Sequence, residues 1–394
     1  MYKLEIKLKQ HTPLIHFQHD QEGATLRASE VKPKLDRFII SKLKENHKSY
    51  KHLLTGNGEH EALDYKLKIK SGPLSTIGIS DRYPLFFANM GDSERKEFRF
   101  CEDYIYLIFQ SFEEEIQFLL KEFLLEFIIS NNFGTRQSKG FGSFYIADSD
   151  PLYKSPLQTQ LMDYRFKAEV SGDLSNQWKQ LFEHIELFYK VLRSGINICN
   201  RDGNSIFYMK SIMFKYAKEK GLQWDKKSIK EAYYPRILQN QQTDHSDTEI
   251  ADNLHFSQNI SQKYLFKDLL GLSSSESWRS PYRIQINKDN PIIDRFKSPI
   301  IFKPIRKSEK LFEIFFKGDT IPKDYLDKDF QIKKGSERPI LTLKTYPKFD
   351  IDEFLDYAIF EVDLEELVGN EDYINHSKFR QIEKIFNQIR RDYE

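Results

Sequence analysis

The residues best suited to chemistry form one run, Asn131-Asn132-Phe133-Gly134-Thr135-Arg136-Gln137-Ser138-Lys139-Gly140-Phe141-Gly142-Ser143. Glycine takes positive φ without steric cost and leaves its backbone N–H unobstructed, so Gly134, Gly140 and Gly142 permit a tight loop whose amides can face an anion. Arg136 and Lys139 add a forked guanidinium and a mobile ammonium, two donors suited to phosphate. No acid lies between Asn131 and Ala147. Such a loop can hold a phosphodiester backbone without reading its bases. A helix C-cap followed by a turn would account for Gly134, but not for Arg and Lys framed by two further glycines.

Lys139-Gly140-Phe141-Gly142 also begins like the aromatic strand motif of an RNA recognition motif, whose rings stack on bases. The continuation Ser143-Phe144-Tyr145-Ile146 departs from it. Asp20, or Asp36 with Glu30, reads as helix capping or dipole pairing rather than as a Mg²⁺ site. The chain contains no H-E-x-x-H, Walker loop, nucleophile elbow or Cys/His metal spacing, so no metal and no cofactor are expected. Cys101 and Cys199 are too few for a disulfide framework or a cysteine zinc site, which favours a reducing cytoplasm. Cys101, in an apolar strand, reads as core.

These residues need elements to position them. Tyr2, Leu4, Ile6 and Leu8 alternate with Lys3, Glu5, Lys7 and Lys9, the period of a half-buried strand. After a polar loop, Ala28, Val31, Leu35, Phe38 and Ile39 recur at helical spacing as far as Leu43. Pro33 fits only a first turn, which places the helix start between Ser29 and Lys32. Its polar side carries Lys32, Lys34, Arg37, Lys42 and Lys44. Strands follow at 63–70 and 98–110, with a hairpin at 85–90. Glu113, Glu114 and Glu115 open a second helix that Asn131, Asn132 and Gly134 stop. A strand at 143–147 completes the order β-α-β-β-α-β, the ferredoxin-like or split βαβ arrangement. The second half reads as a strand at 165–170 and helices at 176–192 and 205–220. A mobile polar loop is expected at 239–262, strands at 282–286, 299–305 and 310–316, and helices at 352–367 and 377–391.

At 394 residues and 46.9 kDa the chain is long enough for two to three domains. Sixty Lys+Arg against fifty-nine Asp+Glu leave +1, so a strongly basic chain is excluded, but the charges are segregated. Residues 27–52 hold eight Lys/Arg to three acids, 209–230 seven to two, and 297–310 five to one. Residues 349–372 hold ten acids and no Lys or Arg. Basic segments gathered on one surface would track a phosphate backbone while the acidic stretch faces elsewhere. The chain starts without a charged-then-apolar signal region. The apolar run from Ile116 to Ile129 is broken by Lys121, Glu122 and Glu126, so no membrane partner is expected.

The form G-x-R-x-x-x-G-F-G-S, Gly134 to Ser143, resembles the glycine-rich loop of RAMP proteins, the RNA-binding superfamily of CRISPR effector complexes. It is most similar to the first RAMP subunit of the type III-B (Cmr) complex. Thr12-Pro13-Leu14 after the first strand and Ser29-Glu30-Val31-Lys32 at the helix start are similar to the family too, as is Leu192-Arg193-Ser194-Gly195-Ile196-Asn197, more loosely. The family tends to Gly-Ala-Leu-Arg where this chain has Pro33-Lys34-Leu35-Asp36, so Asp36 stands where a phosphate-binding arginine is often found. The resemblance implies an α+β fold of two ferredoxin-like (RRM-like, RAMP) domains. The first would span 1–160, and the second 161–394, irregular and with helical insertions.

It also implies an RNA-binding antiviral subunit without catalysis, meeting the 3′ region of a CRISPR guide RNA, target RNA and other effector subunits. The RNA-binding candidates are Arg27, Lys32, Lys34, Arg37, Gly134, Arg136, Lys139, Gly140, Phe141 and Gly142. The enzymatic alternative is a metal-independent endoribonuclease maturing CRISPR RNA. Some RAMP relatives of that kind place a histidine after the first strand, where this chain has His11, His16 and His19. Attack by a 2′-hydroxyl needs a base of near-neutral pKa beside a cation, which His16 and His19 with Arg27 would supply.

Overall fold

The alternation at the start of the chain produces a strand, β1 (Tyr2–Gln10), with Ile6 and Leu8 buried and Lys3, Glu5 and Lys9 exposed on the opposite face. The computed structural model describes residues 1–16, 25–56, 61–78, 83–85, 97–233, 263–278, 284–339 and 341–393. The polar loop expected at 239–262 and, beyond Leu85, the hairpin at 85–90 lie outside them. The chain forms two units, residues 1–185 with 301–317, and 186–300 with 318–394.

In the first unit β1 is followed by α1 (Ala28–Glu45), β2 (Lys66–Ser71), β3 (Leu74–Gly78), β4 (Glu97–Cys101), β5 (Ile105–Ser111), α2 (Glu114–Ser130) and β6 (Phe144–Ile146). Four of these strands make an antiparallel sheet in the order β2-β5-β1-β6. With α1 and α2 this is the split βαβ order expected from the sequence. Val31, Leu35 and Ile39 of α1 and Leu120, Leu124 and Phe127 of α2 bury one face of it, with Leu107 and Phe109 of β5. β3 and β4 pair separately, so the single strand expected at 98–110 is two: Glu102 and Asp103 are exposed and break the apolar run.

α1 begins at Ala28, earlier than Pro33 suggests, which leaves the proline in the second turn. The missing N–H would have bonded the carbonyl of Ser29, and that residue is exposed, so the carbonyl is open to solvent. A short helix, α3 (Pro156–Thr159), precedes β7 (Tyr164–Glu169) and α4 (Leu174–Arg193). β7 pairs antiparallel with Leu311–Gly318, which also neighbours Ile300–Ser308. Pro304 is tolerated there because Ile300–Ser308 is an edge strand.

The second unit has a five-stranded sheet in the order Tyr264–Leu265, Leu341–Thr345, Asp329–Lys334, Ile284–Asp289, Ser275–Trp278, which does not repeat the order of the first. The helix expected at 205–220 is instead a strand, Ser205–Met209, and a helix, Ile212–Glu219. Ser211 separates them as N-cap, its Oγ accepting from the Phe214 N–H at 3.2 Å. Beside the sheet lies a buried charge cluster. The Lys288 ammonium donates to Asp268 at 2.5 Å and to Glu276 at 2.9 Å, and Lys267 donates to Glu276 at 2.8 Å. Lys288 is 1% exposed and Asp268 0%, so each charge depends on its partners. No helix among the described residues is long and apolar enough to cross a membrane.

Candidate nucleic-acid interface

The glycine-rich run leaves α2 with Asn131 extended, its Nδ2 donating back to the Phe127 carbonyl at 2.8 Å. Gly134, Gly140 and Gly142 all take positive φ, as does Arg136 at +55°, a conformation that strains a residue with a Cβ. The glycine amides turn inward. That of Gly134 donates to Glu30 Oε1 at 2.8 Å, that of Gly140 to the Gln137 carbonyl at 3.1 Å, and that of Gly142 to the Pro13 carbonyl at 2.8 Å. The expectation that these N–H groups are left for a bound phosphate therefore needs correction, since the protein's own oxygens occupy them. The glycines serve close approach instead: a Cβ on Gly134 would lie 2.5 Å from the Ile15 carbonyl oxygen, and one on Gly142 only 1.9 Å from that of Phe133. Phe141 is fully buried and stacks on Phe182 with centroids 3.8 Å apart, so its ring belongs to the core. Arg136 and Lys139 are half-buried on the turn, with the Arg136 Nε and Lys139 Nζ atoms themselves buried. Burial pulls the Arg136 guanidinium down to about 10.

A strand distant in sequence braces this loop. Asn132 Nδ2 donates to the Phe302 carbonyl and to that of Gln137, each at 2.7 Å, and Ser143 Oγ donates to the Pro304 carbonyl at 2.8 Å. Lys303 is 0% exposed, and its ammonium caps the end of α2 by donating to the carbonyls of Ile128 at 2.6 Å and Asn131 at 2.7 Å. Burial lowers its pKa well below the ordinary lysine value. Thr12 joins the two sides, its Oγ1 donating to the Gly140 carbonyl at 2.6 Å and accepting from the Ser143 N–H at 2.8 Å. His11 Nδ1 accepts the Arg306 N–H at 3.0 Å; burial, then Lys303 and Lys9, push its pKa well below 6.5 and keep the ring neutral.

The cations of α1 divide by environment. Lys32 donates to Asp36 at 2.7 Å and to the Leu63 carbonyl at 2.8 Å and lies over the Tyr65 ring, so it holds the helix to its surroundings. Lys34 pairs with Glu30 at 2.9 Å, and Glu30 also receives the Gly134 amide, which ties α1 to the loop. Arg37 is exposed, with Nε on the Pro33 carbonyl at 3.1 Å. Arg27, half-buried at the N-cap of α1, has its pKa lowered by burial and by Arg99, against a smaller upward pull from Glu30. Arg99 and Lys303 were not singled out in the sequence. The signal was a cation flanked by apolar residues within a strand, Phe98-Arg99-Phe100 and Phe302-Lys303-Pro304-Ile305. His16 is 7% exposed, and His19 lies outside the described residues.

The basic segment 209–230 and the acidic segment 349–372 do not face apart as their composition suggests. Lys215 pairs with Glu366, and Lys220 Nζ meets Glu353 Oε1 at 2.7 Å, with the Tyr216 hydroxyl on the same oxygen at 2.8 Å. Opposite charge at short range outweighs solvation of separate surfaces here, so part of the segregation is internal pairing.

Residues 1–196 match the family model of the Cmr1 N-terminal domain, and residues 208–390 that of the Cmr1 C-terminal domain. These matches place the chain among the RAMP proteins of type III-B CRISPR systems, a class whose members are subunits of Cmr effector complexes. The chain belongs to the Cmr1 family. The apo crystal structure of Cmr1 from Pyrococcus furiosus is similar at 12% identity, over 82% of this chain and 90% of that one, with a TM-score of 0.38. No curated protein matches the chain.

Proposed function

We propose that this protein is the RNA-binding, non-catalytic subunit of a type III-B CRISPR effector complex, meeting the guide's 3′ region and the start of the target duplex. In this reading residues 1–160 form the first RAMP domain and the second lies within 161–394, although β7 and most of α4 group with the first unit. The observation that carries the RNA contact is Arg136, in left-handed backbone beside Lys139 on a loop pinned from both sides. A partly desolvated guanidinium gains more from an incoming phosphate than a fully solvated one. Arg27 and the exposed Arg37 extend the cationic surface along α1. The glycines and Phe141 set the loop's shape, Glu30 with Lys34 ties it to α1, and Lys32 anchors that helix beside Tyr65.

The test is fluorescence anisotropy of a labelled single-stranded repeat RNA with the full chain between 50 and 300 mM salt. Arg136→Ala with Lys139→Ala should weaken binding and reduce the log–log salt slope by about 0.7 per lost phosphate contact. An unchanged affinity and slope would overturn the RNA reading of the loop. Specific cleavage of the same RNA in EDTA, lost in His16→Ala, would overturn the non-catalytic part in favour of a guide-processing endoribonuclease.

A further inference from the structure

The face of the first sheet turned away from α1 and α2 has no role in the loop's chemistry, yet it is strongly patterned. On β1 the residues alternating with Ile6 and Leu8 include Lys3, Lys7 and Lys9, and on β2 those alternating with Leu67 and Ile69 are Lys66, Lys68 and Lys70. β5 runs between them and sends Tyr106, Ile108 and Gln110 to the same face, with Ile108, 7% exposed, in the row of Glu5 and Lys68. The register aligns Lys3, Gln110 and Lys66 in one row, and Lys7, Tyr106 and Lys70 in another. All these lysines are exposed except Lys7, which is half-buried. The one acid of the face on β1, Glu5, has its carboxyl pulled down chiefly by Lys3, at 2.9 Å, and further by Lys70 and Lys7, so β1 and β2 share a continuous field. The Lys7 ammonium lies 5.8 Å from the centre of the Tyr104 ring, itself 37% exposed.

Lysines two apart on a strand stand about 6.8 Å from one another, and the two lysine rows flank β5 about 10 Å apart. Five like charges at that spacing, Lys7 and Lys9 on β1 and Lys66, Lys68 and Lys70 on β2, beside the Lys3–Glu5 pair, favour a polyanion over a neutral partner. An acidic protein surface would satisfy the charge, but tyrosine rings set among the cations add what bases use, flat faces beside neutralised phosphates. We infer that the open sheet face is a second platform for single-stranded nucleic acid, with the lysines on the backbone and Tyr106 and Tyr104 stacking on bases. The inference rests on the RNA-binding reading for its class of ligand, but on none of the loop's residues.

The experiment uses the full chain and a fluorescein-labelled 15-nucleotide oligouridine, with the loop variant Arg136→Ala/Lys139→Ala run in parallel. Lys66→Glu/Lys68→Glu/Lys70→Glu should lower the salt slope by about 2 and the affinity at least about tenfold. Tyr106→Ala should weaken binding by about 5- to 150-fold while Tyr106→Phe retains it. A 4-thiouridine version of the oligonucleotide should crosslink to the peptide containing residues 104–106, a readout that does not depend on a variant folding. Unchanged slope and affinity in the triple variant, or displacement of the RNA by poly-glutamate as readily as by unlabelled oligouridine, would overturn the inference. Loss in the loop variant alone leaves the loop reading standing and removes this one; loss in the sheet variants alone does the reverse.

Discussion

Replacing Lys303 by Met tests whether a buried ammonium ends α2 and seats the loop. The carbonyls of Ile128 and Asn131 would lose their donor in a site closed to water, at about 1–3 kcal/mol each. Methionine also removes a desolvated charge, which returns several kcal/mol, so at pH 7 the net change is well below the roughly 2–6 kcal/mol of the two carbonyls alone. The pH dependence is more diagnostic. Burial lowers the Lys303 pKa, so the folded protein releases this proton at lower pH than the unfolded chain, whose lysines titrate near 10.4. Between those two values the unfolded state binds more protons, and stability rises with pH by up to about 1.4 kcal/mol per unit. The advantage of the wild type over Lys303→Met should therefore grow from pH 7 to pH 10. Urea unfolding of both proteins across that range measures the difference directly. A difference that stays flat, or shrinks, would refute the assignment of a buried, depressed ammonium at the helix end.

Gly142→Ala places a Cβ 1.9 Å from the Phe133 carbonyl oxygen at a φ of +64°, so it should cost at least about 2 kcal/mol; an unshifted melting temperature would contradict the close packing. Lys288→Met leaves Glu276 with Lys267 and Asp268 with Arg193, 3.4 Å away, as remaining cations, and should destabilise the second unit by up to about 3–5 kcal/mol, read by chemical denaturation.

Local regularities carried over from sequence to structure, whereas long-range partnerships did not. The two-residue period of Tyr2 to Leu8 and the helical spacing from Ile116 to Ile128 each record burial within one element, so β1 and α2 were legible. The glycine-rich run was legible as unusual, but its purpose was not. Nothing near Gly142 announces that Phe133 lies against it, nor that Glu30, about a hundred residues earlier, occupies the Gly134 amide. Lys303 sat in a stretch whose composition reads as a solvated basic face. Yet Phe302 to Ile305 are all buried, so both faces of the strand are covered there and no alternation marked Lys303 as pointing inward. Net charge by segment failed for a related reason. It counts Lys220 and Glu353 in different stretches, although they meet at 2.7 Å.

The strand that braces the loop bears on how the protein is made. Residues 301–317 belong with residues 1–185, and the 115 residues from 186 to 300 are synthesised between them. At about 5–20 residues per second a ribosome needs about 6–23 s for that interval. Throughout it the emerging first unit lacks Lys303 at the end of α2 and the Phe302 and Pro304 carbonyls beneath the loop. A message shortened to end before residue 300 would therefore encode the whole glycine-rich run and still leave it without its floor.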